Sequence, residues 1–122
     1  MNSVTKLKNG LEFKKCKPLK KGGRPAPEPL LKEYLKQTPN WKRLNGEISR
    51  TFNFKDFYET MGFVNALAFI ANRENHHPDL EVGYKTCKAR YSSHEVGGLT
   101  ENDFICAVKI DKLFNDPSNR KS

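Results

Sequence analysis

Hydrophobic residues begin to repeat at helical spacing only from Leu30, where Leu30, Leu31, Tyr34 and Leu35 form a short stripe that stops at Thr38-Pro39. Proline biases the residue before it away from helical conformation, so the spacing predicts a first helix ending there. Between Trp41 and Phe54 the period changes. Asn45-Gly46, a dipeptide suited to the positive φ angles of a tight hairpin turn, separates WKRL from EISRTFNF. In the second of these strands Ile48, Phe52 and Phe54 share one face, with Arg50 as the polar exception on it. A long helix is predicted from about Lys55 to Glu74, its stripe formed by Phe57, Met61, Val64, Ala68 and Ala71 and widened by Phe63, Leu67 and Ile70. A helix this apolar must cover a sheet and touch a second surface, such as a neighbouring helix or subunit.

Pro78 ends that helix near Asn75 and leaves His76-His77-Pro78 as a connector. Leu80 to Val82 reads as a short strand and Gly83 to Thr86 as a turn. Cys87, Ala89 and Tyr91 then alternate with Lys88, Arg90 and Ser92, which predicts a half-buried second hairpin. Gly97-Gly98 breaks the chain. Thr100, with Asp103 three residues on, suits a helix start, and Phe104, Ala107, Val108 and Leu113 supply the apolar side of a last helix. The expected fold is α+β: a two-layer sandwich of a four-stranded antiparallel sheet with helices packed on one face, in the order helix-β-β-helix-β-β-helix. The two strand-strand-helix halves share no sequence repeat.

A length of 122 residues with 36% hydrophobic side chains suits one small domain. The formal charge of +8 is unevenly placed: 10 basic and 3 acidic residues lie in positions 1–36, a net of +7, against 12 and 11 in the rest. Residues 1–28, with KKGGRPAPEP at 20–29, are expected to form a basic, flexible arm, residues 29–118 the folded domain and 119–122 a short tail. Beyond Phe13 the arm has no interleaved aromatics, and a lysine-rich tail is ordinarily a solvated segment, so nucleic acid is not an expected partner. No apolar run is long enough for a signal-peptide core or a membrane span, the longest being Ala66 to Ala71. Cys16, Cys87 and Cys106 are odd in number, widely spaced and free of any CxxC pair, which argues against a disulfide framework or structural zinc and fits a reducing cytoplasm.

All three histidines, His76, His77 and His94, fall within 19 residues. With Tyr84 and Lys85 at the centre of the turn, facing positions have numbers that sum to 169, which sets Ser93 opposite His76 and His94 opposite Asn75. The cluster should meet at one sheet end, beside the C-terminus of the long helix. One reading is polar residues gathered at strand ends; the other is a site. Adjacent histidines point in different directions on an extended chain, and HxH, HxxxH and HExxH spacings are absent, which disfavours a metal. General acid-base chemistry suits imidazole better, since its reference pKa of ~6.5 makes both protonation states accessible near neutrality. A helix C-terminus stabilises a nearby cation by up to ~2 kcal/mol, while two imidazolium groups repel, so one proton shared by the cluster is the natural state. Cys87 and Cys106 read as packing residues.

ENHHPDL at 74–80 followed by SSHEVGGLTENDF at 92–104 resembles the pterin-4a-carbinolamine dehydratase family. FNFKDF, GFVNALAFIA and AVKID extend the similarity over about residues 40–115. The resemblance implies the same fold, association as homodimers or homotetramers, and dehydration of 4a-hydroxytetrahydropterin to quinonoid dihydropterin. This reaction recycles the tetrahydrobiopterin of aromatic amino-acid hydroxylases, so such a hydroxylase is the implied functional partner. Pterin is then the substrate, and no metal or organic cofactor is required. His76, His77 and His94 align with the family's active-site histidines, His76 and His94 being assigned proton transfer and His77 orientation of the pterin. Pro78 is expected to shape the pocket floor, with Asn75, Ser93 and the backbone around Asp79 and Glu95 hydrogen-bonding the ring. Some members carry a glutamate where this chain has Asn72. Trp41 reads as a core anchor rather than a stacking platform, and Asp103, which aligns with a characteristic family acid, as a helix cap. A competing reading from another class is a non-catalytic oligomeric binding module or transcriptional cofactor whose basic arm contacts nucleic acid or protein.

Overall fold

Pro27 and Pro29 begin helix α1 (Glu28–Lys36), where a missing N–H costs nothing because the first helical donors have no acceptor within the helix. In the computed structural model, which describes residues 10–116, Asn45 adopts a φ of 56° to join β1 (Lys42–Leu44) to β2 (Glu47–Asn53), as the Asn-Gly dipeptide predicts. Helix α2 (Phe57–Glu74) is capped by Asp56, whose side chain accepts the Glu59 N–H at 2.8 Å, and it closes at Asn75 in the left-handed region with φ 52°. Strands β3 (Asp79–Val82) and β4 (Thr86–Tyr91) follow, then helix α3 (Glu101–Asn115).

The sheet is antiparallel in the order β1-β2-β4-β3. Asp79 faces Arg90 and Val82 faces Cys87, the register the Tyr84-Lys85 turn requires. No hairpin sets the central pairing of β2 with β4, which runs from Ile48 opposite Tyr91 to Asn53 opposite Thr86. Burial sets it, since Ile48, Phe52, Cys87, Ala89 and Tyr91 are all inside and a slip of one residue would turn one strand's set outward. Against this face pack Phe63, Leu67 and Ala71 of α2 and Phe104, Ile105 and Ile110 of α3. Arg50 remains on the inner face because its charge is paired: its guanidinium donates to Asp111 at 2.6 Å and lies over the Phe52 ring. Trp41, buried as expected of a core anchor, donates Nε1–H to the same carboxylate at 2.8 Å. Burial pushes the Asp111 carboxyl up, and these two donors oppose that shift.

Two expectations change. The buried stripe of α2 is Thr60, Phe63, Leu67, Ala71 and Glu74, leaving Phe57 and Ala68 exposed. An apolar count places the stripe too far round because it omits Thr60, whose hydroxyl is satisfied 2.9 Å from both the Asp56 and Tyr84 carbonyls and can therefore face inward. Phe57 instead stacks on Tyr84 at the surface. The second change concerns residues 10–27, assigned from composition to the arm. They lie against the domain: Leu11 is 2% exposed within the core, Leu11 N–H donates to Gln37 at 3.0 Å, and Ala26 N–H donates to the Leu99 carbonyl at 2.9 Å. Leu11, backbone hydrogen bonds and scattered ion pairs such as Lys14–Glu101 hold this strap, a signal too irregular for periodicity to register. Positions 1–9 of the arm, the end of the assigned domain at 117–118 and the tail at 119–122 lie outside the described residues.

Candidate active site

The C-terminus of α2 delivers His76 to the sheet end. After the left-handed turn at Asn75, the His76 N–H donates to the Ala71 carbonyl at 3.1 Å, which anchors its backbone to the last helical turn. The ring is 8% exposed and stacks on Tyr91 with centroids 5.3 Å apart and planes 11° from parallel. Tyr91 O–H in turn donates to the His76 carbonyl at 3.2 Å. The His76 Nε2 lies 2.6 Å from the Asp103 Oδ1.

Asp103 is fully buried, and each of its oxygens has a distinct task. Oδ2 accepts from the Thr100 N–H at 2.9 Å, completing the capping box of α3, and from the Ser93 hydroxyl at 2.8 Å; Oδ1 faces His76. The Ser93 and Thr100 hydroxyls are themselves 2.8 Å apart. A carboxylate removed from water is expensive unless its lone pairs are met, and here they are met by two polar groups and an imidazole. Burial opposes a charge on His76, but the hydrogen bond and negative charge of Asp103 outweigh it, with smaller help from Cys106 and Glu95. The imidazole pKa is raised above its ordinary value.

His77 points the other way. It is exposed, with Nε2 2.9 Å from the Asn72 Oδ1 one turn back on α2. His94 is also exposed and opens a 3-10 turn, His94–Val96, one residue beyond Ser93. The chain leaves the β3–β4 ladder at Asp79 and Arg90, and Ser93 instead bridges to Gly98, so the expected facing of His76 and Ser93 is not a strand pairing. Asp103 brings the two residues together.

The remaining site candidates divide. Asn75 forms the exposed cap of α2, Pro78 is half-buried in the connector, Asp79 starts β3 at the surface, and Glu95 is exposed in the 3-10 turn. Ser93, expected to bind the ring, is completely buried and directs its hydroxyl at Asp103 and Thr100. Asp103, read from sequence as a cap alone, also holds His76. Tyr91 was legible only as a core residue. A cleft of about 240 Å³ adjoins the 3-10 turn, lined in part by Gly97, Gly98 and Leu99 together with Pro25 and Arg43. Among the described residues, no three or more His, Cys, Asp and Glu side chains are grouped to hold a metal ion, and no helix is long and apolar enough to cross a membrane.

A family model described as pterin 4 alpha carbinolamine dehydratase matches residues 24–113. A Nitrosomonas europaea protein provisionally named as a pterin-4-alpha-carbinolamine dehydratase is 50% identical over 105 residues, covering 85% of this chain and 93% of its own. A Stenotrophomonas maltophilia protein with the same provisional name is 54% identical over 101 residues, covering 81% and 87%. The fold superposes with a TM-score of 0.72 on a Brucella melitensis crystal structure described as a transcriptional coactivator/pterin dehydratase, at 28% identity and covering 75% of this chain and all of that one. It also matches, at 19% identity and a TM-score of 0.52, a pterin dehydratase-like protein described as a RuBisCO assembly factor, covering 62% of this chain and 88% of that one; this likeness speaks to the fold alone.

Proposed function

The chain belongs to the pterin 4 alpha carbinolamine dehydratase family, and from that premise we propose that it dehydrates 4a-hydroxytetrahydropterin to quinonoid dihydropterin by general acid-base catalysis at His76, His77 and His94. The observation that carries the chemistry is the His76–Asp103 pair. Hydroxide leaves C4a poorly, so an acid must protonate it as the C–O bond breaks. An imidazole whose pKa is raised by a buried carboxylate is such an acid. With Nε2 turned to Asp103, Nδ1 is the nitrogen His76 can present to the substrate hydroxyl. His94 takes the proton from the adjacent ring nitrogen, whose electron pair forms the new C=N bond; one water leaves and the electrons balance. His77, braced by Asn72, orients the ring, and Asn75, Pro78 and the backbone at Asp79 and Glu95 line the approach. Recycling pterin for an aromatic amino-acid hydroxylase is the role this reaction would serve. The exposed Phe57, Tyr58 and Phe69 of α2 offer an apolar surface for association into dimers or tetramers.

The test is a coupled hydroxylase assay following decay of the 4a-hydroxypterin in the presence of chelator. His76→Ala and His94→Ala should each lower the dehydration rate by at least ~10²-fold. Activity unaffected by both substitutions would sink the assignment, and loss on chelation would point to a metal. The Brucella protein's description as a coactivator gives the binding-module reading one support. That reading requires nucleic-acid affinity that falls steeply with salt and disappears when the exposed Lys20, Lys21 and Arg24 are changed to Ala.

A further inference from the structure

The strap crosses behind His76. Its residue Cys16, half-buried, has its Sγ 3.6 Å from the Sγ of Cys106, a fully buried residue of α3 that lies 90 positions later in the chain. The contact is built rather than incidental. Cys16 N–H donates to Glu74 at 2.9 Å, Lys17 N–H donates to the Asn102 Oδ1 at 3.0 Å, the Asn102 amide returns a bond to the Lys17 carbonyl at 2.7 Å, and Lys14 pairs with Glu101 at 2.7 Å. On its other side the Cys106 sulfur lies 3.9 Å from the His76 carbonyl.

We propose that Cys16 and Cys106 form a redox pair that a hydroperoxide converts to a disulfide, fastening the strap to α3 behind the candidate site. The sulfurs must close from 3.6 Å to the ~2.05 Å of a disulfide bond, and the movement falls to Cys16, since residues 14–17 have no regular structure while Cys106 is fixed in a helix. The two sulfurs are unequal. The contact with Cys16 lowers the Cys106 thiol, against the effect of burial, with Tyr91 and His76 assisting; the same contact and burial push Cys16 up. Cys16 is the sulfur a peroxide can reach. Cys16 Sγ attacks one peroxide oxygen and gives up its proton as it does so, the O–O bond breaks, and the second oxygen leaves as water, giving a sulfenic acid. The Cys106 thiolate then attacks the Cys16 sulfur and expels the hydroxyl as a second water. Two thiols and one hydrogen peroxide become one disulfide and two waters. In a reducing compartment such bonds are transient and sensing rather than structural.

The reduced full-length protein should be exposed to graded hydrogen peroxide, alkylated, digested without reductant and analysed by mass spectrometry. A Cys16–Cys106 linked peptide lighter by two hydrogens should appear while Cys87 remains alkylated, and tryptic cleavage after Lys14 and Lys15 should slow by about tenfold. Cys16→Ser should abolish both effects, and Cys87→Ser should leave both intact, so no test depends on a substitution in the buried helix. Oxidation of Cys16 to the sulfinic acid without linkage, a bridge involving Cys87, or a linked protein cleaved at the reduced rate would each overturn the proposal. None of these outcomes depends on the pterin reading.

Discussion

His76 and His77 are neighbours in the chain, yet the first is 8% exposed and held by a buried carboxylate, whereas the second stands at the surface against Asn72. Successive side chains of an extended segment point to opposite sides, so one connector supplies both the floor and the rim of the candidate site. The floor is a closed network in which Asp103, Ser93, Thr100, Tyr91 and His76 satisfy one another. The rim makes few such demands. A network in low dielectric holds geometry and charge, and an exposed group remains free to adapt to a ligand.

The comparison breaks most visibly at Asp103. Asp103→Ala leaves the Ser93 hydroxyl, the Thr100 N–H and the His76 ring without their carboxylate partner and should cost about 3–5 kcal/mol in denaturant unfolding. His77→Ala should stay within about 0.5 kcal/mol of wild type. Equal losses would mean that floor and rim are not built differently.

A smaller effect comes from pH. A raised folded-state pKa means that His76 binds its proton more tightly in the folded chain than in the unfolded one. Its contribution to stability is therefore fully present below the unfolded imidazole value of ~6.5 and is lost as pH rises through the raised folded value. Asp103→Asn preserves shape but removes the charge, so that pH-dependent stability should flatten and the alkaline limb of kcat/KM should move to lower pH. The His76 ring signals in an NMR titration would report the shift directly, and an unmoved midpoint would separate Asp103 from the tuning of the acid. The mildest change is Asn72→Ala at the rim. It should raise KM several-fold with kcat nearly unchanged and with stability altered by less than about 0.5 kcal/mol. A fall in kcat alone would give His77 a chemical role in place of an orienting one.

Much of the fold was legible because its signals are local. Asn45-Gly46 and the Tyr84-Lys85 turn each set a hairpin, and the T-x-x-D spacing at Thr100 and Asp103 marked the start of α3. The sequence grouped the three histidines as candidates, but their unequal burial was not legible in it. Composition made residues 10–27 look like a free arm, because a strap held by Leu11, a glutamine and an asparagine side chain has no periodic signature. Thr60 was passed over for the same kind of reason: a polar residue reads as outward until its hydroxyl finds two carbonyls.

By itself the sequence determined the helices and strands, their order, the register of the Tyr84-Lys85 hairpin and the α+β class, since turn geometry and side-chain period act over a few residues. Only the tertiary structure decided that β2 lies against β4, that the second oxygen of a capping carboxylate reaches a histidine 27 positions away, and that two cysteines 90 positions apart come within 3.6 Å. Those pairings follow from burial, which rewards whichever distant groups leave no polar atom unmet when the sheet and its helices close on one core.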